Sequence, residues 1–182
     1  MLDFGEHEAE AEAASGSTGL CEPCAFVRPP LVLGLGNVLL RDDGTGVRLT
    51  MSLQMAMGSH AATFIDGGTM SFSLLPYVEA TDAMLVIDAA DLREPPGTIG
   101  LYEGAEMDRF LRILRPRTVH EIGLIDLMDM ARLQGCLPKQ RALLCLQPDR
   151  IDWGEELSSS VAAALPEAQR RAAGLLQRWK SA

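Results

Sequence analysis

The sequence is short of positive charge, of histidine and of long apolar runs. Its 182 residues carry 16 Lys and Arg against 25 Asp and Glu, which gives a net charge of −9 at pH 7. Because affinity for nucleic acids comes mostly from clustered Lys and Arg, this balance argues against a nucleic-acid partner. No apolar run reaches the roughly 18 to 20 residues that cross a bilayer, and no signal-peptide pattern is present. We therefore expect a cytoplasmic protein without membrane contact.

Cysteine is also scarce, and its spacing does not form a zinc motif. Cys21 and Cys24 make one C-x-x-C pair, but Cys136 and Cys145 do not supply a second pair at matching spacing. We expect incidental exposed thiols at the first pair, with a structural or metal-binding role as the alternative. The other two lie in apolar segments, where reduced thiols pack as small hydrophobic groups.

The chain divides into an N-terminal extension and one domain. Residues 1–29 are rich in Ala, Glu, Gly and Ser and close with "RPP", a composition typical of a disordered segment. Residues 30–182 are enough for one domain of ordinary size.

Within this domain, short apolar segments alternate with segments of helical periodicity. The predicted strands are "LVLGLG", "ATFID", "AMLVIDA", "GTIGLYE" and "RALLCLQ". The predicted helices span residues 45–57, 71–80, 106–114, 121–134 and 159–179, the last bent or restarted near Pro166. Such alternation predicts an α/β fold: a doubly wound, mostly parallel sheet with helices on both faces, in a single domain.

Polar residues gather where the predicted strands end. Asp43 follows the first strand, Asp66 ends the second, Asp88 ends the third, and His120 comes from a later loop. Ligands of doubly wound sheets bind at this edge. Two carboxylates and an imidazole suit zinc, nickel or manganese and leave a coordination position open.

Each of these residues also has a plainer explanation. Asp42 or Asp43 could cap the following helix, Asp66 could stabilise the turn at Gly67, Asp88 could be a solvated acid, and His120 a surface histidine.

The helix that carries His120 has recognisable ends. Thr118 and Glu121 form the T-x-x-E capping box, and Gly135 is placed to terminate the helix. His120 is therefore expected in the first turn, where the helix dipole favours the neutral, metal-binding imidazole.

A dinucleotide site is the competing interpretation of "GLGNVL". Gly34 and Gly36 fit that fingerprint, but Leu39 replaces its third glycine. Two carboxylates at the helix entrance would also repel pyrophosphate. We therefore favour a cation at this edge.

The motifs resemble one known family. The segments "LGLGNVLLRDDGTGVRL", "IDGGTMSFSLLPY", "LVIDAADLREPPGTI", "HEIGLIDLMDMARLQGCLP" and "LQPDRIDWGEELSSSVAAALP" occur in the order seen in the maturation endopeptidases of [NiFe] hydrogenases, across residues 31–165. This resemblance implies an enzyme that removes the C-terminal extension of the hydrogenase large-subunit precursor after nickel insertion. The nickel would be supplied by the precursor, although zinc or cadmium could occupy the site in vitro.

The resemblance also implies roles for individual residues. The family's metal-contacting acids fall on Asp43, where many members have Glu, and on Asp88, and its histidine falls on His120. Asp66, Gly67 and Gly68 correspond to a segment associated with substrate selection or cleavage. Asp66 thus joins the three metal contacts as a catalytic candidate.

These residues are compatible with two routes for the reaction. The attacking water could be activated by the metal ion or by a carboxylate such as Asp66, and Gly44 and Gly46 could bring the backbone close to a substrate or only make the turn. No G-x-S-x-G elbow or H-E-x-x-H helix occurs. A non-catalytic chaperone of the nickel-loaded large subunit, or a peptidase for another metalloprotein precursor, are the alternatives. We expect a monomer that meets its partner transiently.

Overall fold

The computed structural model describes residues 28–69, 72–113 and 119–181. The predicted extension up to residue 27, including Cys21 and Cys24, lies outside the described residues. The last two extension residues contact the domain: Arg28 donates to the Glu79 carbonyl at 3.0 Å, and the Pro29 carbonyl accepts from the Thr81 hydroxyl at 3.0 Å.

Strands and helices follow one another nearly as predicted. The strands are β1 (Leu31–Leu35), β2 (Thr63–Gly68), β3 (Ala83–Ala89), β4 (Ile99–Glu103) and β5 (Gln140–Leu146). The helices are α1 (Thr45–Met57), α2 (Leu75–Glu79), α3 (Ala105–Ile113), α4 (Val119–Leu133) and α5 (Ser159–Lys180). Two 3-10 turns, Arg41–Gly44 and Phe72–Leu74, precede α1 and α2.

The strands form one sheet in the order β2-β1-β3-β5-β4. The strands β2, β1, β3 and β5 run parallel to one another, and β4 pairs antiparallel with β5 at the edge. This arrangement confirms the predicted doubly wound, mostly parallel fold. The chain passes from β1 to β2 on one side and then to β3 on the other, so the topological switch point lies at the carboxyl ends of β1 and β3.

Alternating residues of the central strands pack on opposite faces of the sheet. Leu33 of β1 and Val86 of β3 lie in the cluster that α2, α3 and α4 cover. Val32 and Leu85 lie in the cluster that α1 and α5 cover. Since both faces of these strands are buried, they need continuous apolar sequence.

Three details concern helix ends and breaks. At the end of α4, Gly135 adopts a φ of 72°, and the N–H groups of Gly135 and Cys136 bond the carbonyls of Arg132 and Ala131, as predicted for a terminating glycine. The predicted helix 71–80 is a 3-10 turn followed by a short α2 with Pro76 in its first turn. α5 runs as one helix through Pro166 and does not restart there.

Of the two described cysteines, Cys136 is partly buried, and Cys145 is fully buried in the core. In the described part of the chain, none of the helices combines the length and apolar character that a bilayer crossing requires.

Candidate functional site

The first residues of α1 pack closely between the carboxyl ends of β1 and β3. A Cβ on Gly46 would lie 2.2 Å from the Ile87 carbonyl oxygen and 2.3 Å from that of Leu35, and one on Gly44 would lie 2.6 Å from the Val38 Cα. Both glycines are buried against the protein's own backbone. These contacts support the alternative in which the two glycines make the turn, and they let α1 start at the switch point.

Asp43 lies in the acidic turn (Arg41–Gly44), directly before α1. Its side chain is 3% exposed, and its Oδ2 accepts the Asn37 N–H at 2.8 Å. The loop closes so tightly that a Cβ on Gly36 would lie 1.8 Å from the Asp43 carbonyl oxygen. The N-cap residue of α1 is Gly44, with no side-chain capping bond. A capping role for Asp42 or Asp43 is therefore wrong.

Asp88 lies near the end of β3, on the neighbouring strand. It is 3% exposed, and its Oδ1 accepts the Ala89 N–H at 2.8 Å. The acidic turn contacts β3, so the structure brings the Asp43 and Asp88 segments to the same edge. Because Asp88 is buried, its alternative as a solvated acid is wrong.

Asp66 lies at the same edge on β2, which β1 separates from β3, and it is exposed. Its Oδ1 accepts the Gly68 N–H at 2.9 Å, and Gly68 has a φ of 49°. This is the turn geometry that the plainer explanation predicted. A Cβ on Gly67 would lie 2.8 Å from methyl groups of Leu33 and Leu35, so Gly67 allows close packing on the core.

His120 is the second residue of α4 and lies in the first turn, as predicted. α4 covers the face of the sheet to which alternation along β3 assigns Asp88. The imidazole of His120 and the residue Thr118 lie outside the described part of the structure. Among the side chains that are described, no three of His, Cys, Asp and Glu come together as a metal site.

Asp42 has a part in this site that sequence reasoning missed. It is 0% exposed, its Oδ2 accepts the N–H groups of Asp149 and Arg150 at 3.0 Å each, and its Oδ1 accepts that of Ser158 at 2.7 Å. Burial alone raises the pKa of the Asp42 carboxyl, but these N–H donors outweigh it and lower the pKa. The adjacency of Asp42 and Asp43 in a helical turn was the signal that could have indicated two different environments, because neighbouring side chains in such a turn point in different directions.

The loop after β1 and the loop before α5 are joined at several further points. The Arg41 N–H donates to the Gly154 carbonyl at 2.7 Å, and the Gly154 N–H donates to the Leu39 carbonyl at 2.9 Å. The Arg41 guanidinium pairs with Asp152, and Arg48 donates to a carbonyl of each loop. The two loops therefore form one hydrogen-bonded unit beside Asp43.

Comparisons with known proteins agree with this architecture. Residues 47–174 match the HycI family, described as hydrogenase maturation protease. The chain is 34% identical over 151 residues to the hydrogenase expression/formation protein HoxM of Cupriavidus necator, covering 82% of this chain and 74% of that protein. It is 30% identical over 141 residues to the hydrogenase 2 maturation protease of Escherichia coli, covering 76% and 84%.

A solved structure, the hydrogenase maturating endopeptidase HybD from E. coli, aligns with a TM-score of 0.75 and 26% identity, over 82% of this chain and 93% of that one. The chain therefore belongs to the hydrogenase maturation protease family, as its sequence motifs predicted.

Proposed function

We propose that this protein is the endopeptidase that removes the C-terminal extension of a [NiFe] hydrogenase large-subunit precursor once nickel has been inserted. Membership of the hydrogenase maturation protease family supports a peptidase that processes a hydrogenase precursor. The observation that carries the nickel-dependent part is the pair Asp43 and Asp88, each 3% exposed at the carboxyl ends of adjacent strands.

Burial makes these two acids selective for positive charge. A carboxylate removed from water is costly unless donors or a cation compensate it. The Asn37 N–H donates to the Asp43 carboxylate, and the Ala89 N–H donates to that of Asp88. The donor set is two carboxylates together with His120, whose helix covers the face of the sheet to which strand alternation assigns Asp88. Oxygen ligands together with imidazole suit nickel. The residues thus fit an ion carried by the precursor.

In this proposal Asp43, Asp88 and His120 hold the precursor so that its scissile peptide bond lies beside the strand ends. Such positioning converts a loose encounter into a nearly unimolecular reaction. Asp66 is exposed at the same edge and is the candidate to take a proton from the attacking water. An ion in the precursor would supply Lewis acidity to a water near it, which is the second route.

We also propose that the protein meets its precursor in the cytoplasm as a monomer and releases it after cleavage. The acidic balance, −9 at pH 7, favours association with a basic surface. Sedimentation of the free protein and of its mixture with precursor measures both the monomer and the transient complex.

The test separates cleavage from binding. Asp43→Asn and Asp88→Asn preserve shape while removing charge, and because they loosen the positioning of the scissile bond, both are expected to lower the cleavage rate of nickel-loaded precursor by about a hundredfold. Asp82→Asn, an exposed acid at the opposite end of β3, is the matched control and is expected to cleave normally. Unchanged cleavage by both variants would overturn the assignment. A wild-type protein that binds nickel-loaded precursor without cleaving it would establish the chaperone instead.

A further inference from the structure

Four large apolar side chains are exposed on the two joined loops beside the acidic turn. Val38 and Leu39 lie on the loop after β1, with exposures of 37% and 46%. Ile151 and Trp153 lie on the loop before α5, with exposures of 48% and 77%. We call these four residues the rim patch. A tryptophan this exposed, among other apolar side chains, is typical of an interaction site.

The backbone beneath the rim patch is held firmly. The Leu39 carbonyl bonds the Gly154 N–H, next to Trp153, and the Arg150 N–H, next to Ile151, bonds the buried Asp42 carboxylate at 3.0 Å. The apolar side chains are therefore presented on ordered loops. Less conformational entropy is lost on binding when the surface is ordered beforehand.

The rim patch is continuous with the candidate site. Val38 directly follows Asn37, whose N–H donates to the Asp43 Oδ2 at 2.8 Å. A partner that contacts Val38 is consequently held one residue away from Asn37, the residue that donates to Asp43.

The charges around the rim patch are mostly negative. Four acids of the second loop, Asp149, Asp152, Glu155 and Glu156, face three arginines on or between the two loops, Arg41, Arg48 and Arg150. Arg41 and Arg150 both pair with Asp152, whereas Glu155 and Glu156 are exposed acids. Exposed apolar side chains interspersed with exposed acids complement an apolar segment flanked by basic residues.

We propose that the rim patch is the docking surface for the hydrogenase large-subunit precursor and takes an apolar segment of it flanked by Lys or Arg. This inference rests on the proposed function and identifies the surface through which the partner is recognised. Four side chains make a small contact, which suits a weak, transient complex of the kind that turnover requires. Trp153 is the expected anchor because exposed tryptophans dominate such contacts.

The experiment measures the dissociation constant of the full chain for immobilised, nickel-loaded precursor, together with cleavage kinetics. Trp153→Ala is expected to weaken binding by about tenfold to thirtyfold, with Ile151→Ser giving a smaller loss. KM for precursor is expected to rise while kcat at saturation stays unchanged, since the rim patch binds ground and transition states alike. Leu133→Ala, which removes an apolar side chain 88% exposed at the end of α4, is the matched control and is expected to bind normally.

A second variant tests the charge border. Glu155→Gln with Glu156→Gln is expected to weaken binding at low salt and to flatten its salt dependence. Thermal unfolding is expected to stay unchanged in all variants, because the altered side chains are exposed.

The outcomes distinguish this inference from the proposed function. If the wild-type protein cleaves the precursor and Trp153→Ala and Ile151→Ser bind as tightly as wild type, the docking surface is refuted and the protease stands. If the wild-type protein neither binds nor cleaves precursor, both are refuted. A wild-type dimer that Trp153→Ala converts to a monomer would show that the rim patch seats a second copy, which also overturns the inference.

Discussion

Replacing Asp42 by alanine is the perturbation whose size follows most directly from the structure. The side chain is 0% exposed and accepts three backbone N–H groups, from Asp149, Arg150 and Ser158. Hydrogen bonds to a charged group contribute about 1.5–3 kcal/mol each, and a buried donor left without an acceptor costs about 1–3 kcal/mol. Because the three donors share one acceptor group, their losses do not add fully.

We therefore expect Asp42→Ala to lower the free energy of unfolding by about 3–5 kcal/mol. For a domain of this size, that loss corresponds to a fall in Tm of roughly 6–20 °C. Urea unfolding followed by circular dichroism measures the change. Asp149→Ala is the matched control: it keeps the backbone donor and removes only an exposed side chain, so its effect is expected within about 0.5 kcal/mol. An Asp42→Ala protein within about 1 kcal/mol of wild type would refute the reasoning.

The remaining predictions concern acid stability, an ion pair and two glycines. Since the folded state lowers the pKa of Asp42, its contribution to the free energy of unfolding is present above the unfolded pKa and is lost as pH falls below about 4. Urea unfolding at a series of pH values is therefore expected to show that stability falls less steeply with acid in Asp42→Ala than in wild type. An equal fall in the two proteins would contradict this. Asp108→Asn breaks a forked pair with Arg141, with N–O distances of 3.0 and 2.7 Å, and is expected to lower unfolding free energy by about 1–3 kcal/mol; no loss in urea would count against it. Gly46→Ala drives a Cβ onto carbonyl oxygens of β1 and β3 and is expected to destabilise by about 3 kcal/mol. Gly174→Ala, in open space within α5, is expected to stabilise the protein by about 0.5–1 kcal/mol. The Tm of Gly46→Ala is thus expected below that of wild type and the Tm of Gly174→Ala above it, and equal Tm values for all three proteins would contradict both predictions.

Much of the fold was predictable because burial on both faces leaves a strong pattern. The strand "AMLVIDA" coincides with β3, and the helix 45–57 coincides with α1. The segment 71–80 was harder, because Pro76 is compatible with the first turn of a helix but not with its middle, so the helix could only begin near it.

Strand order was not readable from the chain, because alternation of strands and helices does not say on which side of β1 each strand is added. Only the order β2-β1-β3 shows that Asp43 and Asp88 flank the switch point while Asp66 lies beyond β1. The environment of Asp42, which distinguishes it from Asp43, depends on a loop more than 100 residues away in sequence. No local pattern contains that information.

In the proposed function, cleavage depends on the nickel in the precursor and on His120. The most direct measurement incubates the purified protein with large-subunit precursor, with and without inserted nickel, and follows the precursor mass. We expect loss of a C-terminal peptide from the nickel-loaded form alone. This loss is expected to be abolished by His120→Ala and preserved by His60→Ala, which changes an exposed histidine in the link before β2. Release of the peptide from the nickel-free form at the same rate, or from neither form, would contradict it.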